Sequence, residues 1–298
     1  MGHEPSFTQS FISGGLTGMV SKTVMAPIER VKLLLQTQHA SGQIAADQRY
    51  SGLINCFVRV YREQGAMSFW RGNTVNVVRY IPSQAMNFAL RDKFMHYMLG
   101  GVSIEKDFWR YTRNSFIAGG ATGGVSLLVL YPFDFARTRV GTDVGSGVHR
   151  QYRGSLDCLK QTLIKEGPRA VYRGFDIALV GIVSWRAFYF GGYDTFAKLV
   201  LGDRKGGTVA ERFAVAQTVT TLAGSAVYPL DSIRRRMMMQ AGRKEVMYKN
   251  SLHCVRRILA EEGYRGFYRG LSANLLRSVG GSLSLVLFDE IQGILHPQ

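Results

Sequence analysis

The sequence is short of cysteine, short of acid and without a recognisable leader, and each shortage removes a class of protein. Its 298 residues hold three cysteines, Cys56, Cys158 and Cys254, with no CxxC pair. An odd, widely spaced set cannot build the disulfide framework of a small secreted fold. No basic stretch followed by a short apolar run opens the chain, so no cleaved presequence is expected. Asp and Glu number 21 against 37 Lys and Arg, a formal charge of +16. Such a surplus calls for polyanionic partners: nucleic acid, anionic lipid or a phosphorylated small molecule. Hydrophobic residues make up 46%, which does not by itself declare a membrane protein.

What is present is repetition. Pro27-Ile28-Glu29-Arg30-Val31-Lys32, Pro132-Phe133-Asp134-Phe135-Ala136-Arg137 and Pro229-Leu230-Asp231-Ser232-Ile233-Arg234 all read Pro-x-acid-x-x-base. About forty residues after each comes an aromatic-Arg-Gly triplet: Trp70-Arg71-Gly72, Tyr172-Arg173-Gly174 and Tyr268-Arg269-Gly270. Gly65, Gly167 and Gly263 precede these triplets. Tyr50-Ser51-Gly52, Tyr152-Arg153-Gly154 and Tyr248-Lys249-Asn250 form a third set, and a cysteine follows each by four residues. The cysteines therefore read as equivalent small apolar positions, and no metal site is expected. Ordered markers recurring near every 100 residues divide the chain into repeats over 6–105, 106–206 and 207–298.

Each repeat opens with a stretch free of Asp, Glu, Lys and Arg, over 5–21, 114–133 and 213–230. The second and third are long enough to span a bilayer, which takes about 20 helical residues. Each stretch runs into the motif proline, which removes one helical hydrogen bond and bends the axis. Second apolar segments, around 73–98, 175–198 and 272–292, are interrupted by Arg79, Arg186 and Arg277, and the first stretch of the chain is followed by Lys22. Inside a bilayer such cations must face protein or a water-filled cavity, where together they make an anion site. Gly14-x-x-x-Gly18, Gly119-x-x-x-Gly123 and Gly120-x-x-x-Gly124 offer small faces for close helix packing. Between the long helices, 39–72, 143–174 and 240–271 hold 17 Lys and Arg, and helical spacing at 53–63, 156–165 and 252–262 fits helices lying on the membrane surface.

The three Pro-x-acid-x-x-base copies, spread over essentially the whole chain, resemble the mitochondrial carrier family. Arg234-Arg235-Arg236-Met237-Met238-Met239, directly after Pro229-Leu230-Asp231, looks like the signature hexapeptide of its ADP/ATP carriers. The resemblance implies an all-α membrane protein. It implies six transmembrane helices in three tandem two-helix repeats, with pseudo-three-fold symmetry and three short matrix-side helices. Also implied are the mitochondrial inner membrane, termini toward the intermembrane space, and a functional monomer. Exchange of ADP for ATP would run by alternating access, without covalent chemistry and without a cofactor beyond structural cardiolipin.

Carried over residue by residue, the resemblance assigns Lys22, Arg79 and Arg277 to substrate phosphate, with Arg234, Arg235 and Arg236 as a relay. Arginine suits this work because its planar fork matches phosphate. Gly181 and Ile182 match the nucleobase pocket; Trp185 stands where the family has Tyr, and Val227 where it has Ser. Asn87, Arg186 and Tyr189 match cavity positions. Glu29, Asp134 and Asp231 are expected to pair with Lys32, Arg137 and Arg234 across neighbouring helices, braced by Gln36, as a gate on the matrix side. At the cytoplasmic gate Asp92, Asp194 and Asp289 are kept, but Met95, Ala197 and Gln292 replace the bases. A weak ring there would leave the empty carrier open to the intermembrane space. Gly52, Gly72, Gly154, Gly174 and Gly270 match cardiolipin positions, with Asn250 replacing the third Tyr-x-Gly glycine.

Two rivals remain at this point. One is a carrier of the same fold for another nucleotide or phosphate. The other is a soluble, basic, helical nucleic-acid binder, which explains the charge and the Arg run but not cations set inside apolar stretches.

Overall fold

The computed structural model describes residues 7–100, 107–145, 150–201, 209–243 and 245–280; no strand occurs among them. Repeat one holds α1 (Phe7–Thr37), α2 (Leu53–Gln64), α3 (Asn73–Val78) and α4 (Tyr80–Leu99). Repeat two holds α5 (Phe108–Gly141), α6 (Ser155–Glu166), the single turn α7 (Pro168–Val171) and α8 (Phe175–Leu201). Repeat three holds α9 (Val209–Met238), α10 (Ser251–Glu262) and a helix over 271–280, α11. Pro27, Pro132 and Pro229 all lie inside their long helices, which continue for about ten residues beyond them. Consecutive long helices pack as α4 on α5 and α8 on α9, and α1 packs on α9, bringing the first repeat against the third.

The glycine markers sit where the chain must turn. Gly72, Gly174 and Gly270 adopt φ near +80°, a region open to glycine at no steric cost. Each also lies against the motif helix of another repeat. A Cβ on Gly72 would come within 3.0 Å of the Arg137 carbonyl, on Gly174 within 3.1 Å of the Arg234 carbonyl, and on Gly270 within 3.1 Å of the Lys32 carbonyl. The contact therefore runs from repeat one to two, two to three, and three back to one.

The short helices α2, α6 and α10 bury one face each. Cys56, Cys158 and Cys254 are fully buried and unbonded, each in a cluster with the marker tyrosine of its repeat. Burial pushes all three thiols up to about 12, so they stay protonated and act as small apolar groups. Side chains eleven residues past each motif proline fasten these tyrosines. Gln38 accepts from the Tyr50 N–H at 2.7 Å, Asp143 from Tyr152 at 3.3 Å and Gln240 from Tyr248 at 2.9 Å.

By length and composition, one described helix meets the requirements of a membrane span, Trp109–Gly141. The stretch over 213–230 was expected to qualify as well. Its helix is 30 residues long, but Gln217, Thr218, Thr220, Thr221 and Ser225 hold its apolarity down. The Gly119/Gly123 pair has a different use from the expected close approach of two backbones. It opens a slot for a side chain: Arg186 donates to the Gly119 carbonyl, and a Cβ on Gly123 would lie 3.1 Å from the Arg186 guanidinium.

Candidate functional site

The motif acids and bases close a ring between repeats. Lys32 on α1 reaches Asp231 on α9 at 2.9 Å, Arg137 on α5 pairs with Glu29 on α1, and Arg234 on α9 reaches Asp134 on α5 at 2.5 Å. Acid and base stand three residues apart, so each helix turns both signs the same way. Gln36 donates to Asp231 at 3.2 Å and to Ser232 at 3.0 Å, bracing one junction. Asn76, almost fully buried, donates to Glu29 at 3.2 Å. Its equivalent Asn274 accepts from Arg277 at 3.3 Å. Both asparagines stand five residues after an arginine of the aromatic-Arg-Gly set, a register that repeat alignment would have exposed.

Two chambers adjoin this ring. The first, about 370 Å³, is lined by Lys22, Arg79, Arg277 and Arg235, with Glu29, Lys32, Arg137 and Asp231 of the ring and with Asn274. Lys22 also stands 5.1 Å from the centre of the Tyr80 ring. The second, about 400 Å³, takes Gly181, Ile182, Trp185 and Arg186 from α8, Val227 and Leu230 from α9, Ser83 and Asn87 from α4, and Ser126 from α5. Arg79, Trp185, Val227 and Asp231 line both. A strongly cationic space thus adjoins a largely apolar one, and each falls within the roughly 300–1,000 Å³ of small-molecule sites.

Several expected residues are placed differently. Arg79 is not a free cation: its guanidinium lies 3.1 Å from Asp134, which it shares with Arg234. Of the four cations expected to share one cavity, Lys22, Arg79 and Arg277 line the cationic space, whereas Arg186 lines the apolar chamber and is spent on the Gly119 carbonyl. Tyr189 stacks on Trp185, ring centres 5.1 Å apart, and lines neither chamber. The three-arginine relay is corrected at Arg236. This side chain is wholly buried, pairs with Glu262 through both Nη atoms and donates to the Gly266 carbonyl at 3.2 Å. Successive helical residues turn by about 100°. Arg234 and Arg235 therefore face the axis, while Arg236 faces α10. Met237, Met238 and Met239 are buried in the junctions between repeats two and three and between three and one.

Glu262 was missed by motif reading. Gln64, Glu166 and Glu262 occupy one register, each just before a marker glycine, and each accepts from the arginine of its own triplet: Arg71 at 3.1 Å, Arg173 at 3.0 Å and Arg269 at 2.8 Å. Burial raises the Glu262 carboxyl, but the hydrogen bond and charge of Arg236 outweigh it and hold the group below its usual range. His39, from repeat one, lies 3.5 Å from Glu262. Burial nevertheless pushes its imidazole down to about 4, so it is neutral at pH 7 and the contact is not an ion pair.

Of the glycines assigned to lipid, Gly52 and Gly154 have extended backbones with no atom within 4 Å of a built Cβ, whereas Gly72, Gly174 and Gly270 are already required by turn geometry and packing. Asn250 caps α10 itself, its side chain accepting from the His253 N–H at 2.8 Å. At the expected cytoplasmic gate Asp92 is exposed; the Asp194 side chain, Asp289 and Gln292 lie outside the described residues.

Comparison with known proteins agrees with this arrangement. The family model described as mitochondrial carrier protein matches three times, over residues 3–101, 108–204 and 205–298. ADP/ATP translocase 3 of Bos taurus is 50% identical over 293 residues, covering 97% of this chain and 98% of the relative. ADP/ATP translocase 2 of Rattus norvegicus is 50% identical over 290 residues, covering 96% and 97%. ADP/ATP translocase 4 of Macaca fascicularis is 47% identical over 292 residues, covering 98% and 92%. With three motif-bearing repeats and near full-length identity of this order, the chain belongs to the mitochondrial carrier family.

Proposed function

We propose that this chain is a transporter, not an enzyme, that exchanges ADP for ATP across the mitochondrial inner membrane by alternating access. The observation that carries the reading is the pair of adjoining chambers with Arg79 and Trp185 common to both. A nucleoside diphosphate has the same two halves: a polyanion suited to Lys22, Arg79 and Arg277, and a flat base suited to the Trp185 wall. The translocase relatives support adenine nucleotides as the substrate.

In this reading six helices cross the membrane with pseudo-three-fold symmetry, both termini face the intermembrane space, and the monomer is the working unit. The Lys32–Asp231, Arg137–Glu29 and Arg234–Asp134 ring is the matrix gate. Partly buried pairs add little net stability because desolvation offsets their attraction; their better use is as a switch. Arg79 links substrate to gate, since a phosphate drawing its guanidinium away leaves Asp134 to Arg234 alone. Substrate opens the gate only as far as it binds the open form more tightly. Arg235, 3.3 Å from Asp231, stands ready to follow the phosphates when that acid is released. Cardiolipin is the structural lipid of this reading, with Gly52 and Gly154 at the open starts of α2 and α6. Nucleic acid has no place in it, because the grouped cations line an interior cavity.

ADP carries about three negative charges and ATP about four, so each swap moves one charge, worth about 2.3 kcal/mol per 100 mV. A matrix-negative potential then drives ATP outward without hydrolysis. Counter-exchange of labelled ADP in liposomes tests the function, with Lys22, Arg79 and Arg277 replaced one at a time. Uptake should depend on internal ADP or ATP and collapse in each variant; uptake indifferent to internal nucleotide would reject exchange.

A further inference from the structure

Beyond the ring, the junctions between repeats are not built alike. α5 ends at Gly141, one helical turn past Arg137, and the chain at 141–145 lies on repeat one. Arg30 donates to the Gly141 carbonyl at 3.1 Å and to the Asp143 carbonyl at 3.0 Å. Arg71 donates to the Asp143 carbonyl at 2.9 Å and to the Gly145 carbonyl at 2.7 Å. Gln43 adds a two-way amide contact. Its Nε2 donates to Asp143 Oδ1 at 2.9 Å, and its Oε1 accepts from the Val144 N–H at 3.2 Å. Val144 itself packs against the core of repeat one that holds Tyr50 and Cys56.

Two departures from the repeat pattern make this clasp. The register of Glu166 and Glu262 holds neutral Gln64 in repeat one. Glu166 keeps Arg173 within its own repeat, and Glu262 keeps Arg236 and Arg269. Gln64 Oε1 instead gathers Arg30 at 2.6 Å and Arg71 at 3.1 Å, side by side, with donors left over for the carbonyls of repeat two. The register of Gln38 and Gln240 holds Asp143. Both glutamines bond backbone groups of their own repeats, at Tyr50, Glu245 and Tyr248. Asp143, 1% exposed, fastens its own loop through the N–H groups of Gly145, Gln151 and Tyr152 and still reaches Gln43.

The clasp joins the same two repeats as the Arg137–Glu29 pair. A helix carries displacement along its axis, because each residue is bonded to those one turn away. α5 therefore cannot draw Arg137 away from α1 while Gly141 stays bonded to Arg30. We propose that Gln43, Arg30 and Arg71 of repeat one, with residues 141–145 of repeat two, form a second matrix-side lock. It lies in series with the ring and parts with it each time the carrier opens to the matrix. Gln43 is exposed, so water takes over its two hydrogen bonds when the segments part, and the lock stays reversible. The proposal rests on the alternating-access reading above and makes Gln43 a positioning residue that does not touch substrate.

Gln43→Cys and Val144→Cys are combined in the full chain, reconstituted in liposomes loaded with ADP. Cys56, Cys158 and Cys254 are buried and stay in place. Oxidation of the empty protein should join the new pair and abolish uptake of labelled ADP, and reduction should restore it. Failure of the disulfide to form, or exchange that continues once it has formed, would overturn the proposal. Gln43→Ala needs neither a cross-link nor a change at Val144, so it decides the case even where the double variant fails to fold. It should raise turnover at saturating ADP about fivefold, the factor of about one net hydrogen bond, while lowering the melting temperature. A purely structural role would lower both, and turnover that is unchanged or reduced would overturn the proposal. Wild type that does not exchange ADP overturns the alternating-access reading and the proposal with it. Exchange that persists through the cross-link, beside an active wild type, overturns this proposal alone.

Discussion

Lys32 and Asp231 meet at 2.9 Å although 199 residues of chain separate them, and their contact ties the first repeat to the third. Lys32 also lies 5.1 Å from the centre of the Tyr228 ring, and Gln36 reaches the same carboxylate oxygen. The junction is thus a small network, in which single deletions leave partners stranded. Lys32→Gln and Asp231→Asn should each lower the melting temperature of the detergent-purified protein. The double variant should cost less than their sum, with a coupling of about 1 kcal/mol. Strict additivity in a double-mutant cycle would show that the contact carries no coupling.

Asp134 holds two arginines, Arg79 at 3.1 Å and Arg234 at 2.5 Å. If substrate phosphate competes with Asp134 for Arg79, neutralising the acid should free the cation. Asp134→Asn is expected to bind ADP several-fold more tightly while exchanging it more slowly, because the gate no longer recloses against Arg234. Equilibrium binding and exchange rates measured on one preparation check this; weaker binding would place Arg79 outside the phosphate site.

Gly174 combines φ +79° with a built Cβ 3.0 Å from Met237 Cβ and 3.1 Å from the Arg234 carbonyl, so Gly174→Ala should destabilise by about 1–3 kcal/mol. Gly154, extended and with nothing within 4 Å of its Cβ, is the control. Gly154→Ala meets no backbone strain and loses only a favoured N-cap, so it should cost less, about 0.5–1 kcal/mol. Thermal melting of the two variants should separate them clearly.

His39 supplies the pH dependence. Its folded pKa, about 4, lies below the ordinary 6.5, so between these values the unfolded chain binds more protons. Stability from this group is present above about 6.5 and is lost as pH falls toward 4. On going from pH 7.5 to 5 the wild type should lose more melting temperature than His39→Gln. Equal losses would mean that His39 titrates alike folded and unfolded.

The repeats, the motif acids and bases and the cations in apolar stretches were legible in the sequence because they are local and periodic. So was the common face of each motif's acid and base, since residues three apart on a helix point the same way; their pairing between helices was what the family resemblance implied. The use of Arg236 was not: a run of three arginines looks uniform, yet helical rotation sends Arg234 and Arg235 to the axis and Arg236 to Glu262. Nor did the chain reveal that Arg186 would spend itself on the Gly119 carbonyl, a contact 67 residues away.

The sequence by itself determined three helical repeats, their motif charges and the inventory of groups able to meet a nucleotide, because spacing along a helix sets which residues share a face. Only the tertiary structure decided the partners. It ran the ring from Glu29 to Arg137, Asp134 to Arg234 and Asp231 to Lys32, claimed Arg79 for Asp134, and set Ser126 against Asn87. The physical reason is that periodicity fixes a side chain's direction relative to its own helix, whereas rotation and depth against neighbouring helices are set by packing between repeats about 100 residues apart.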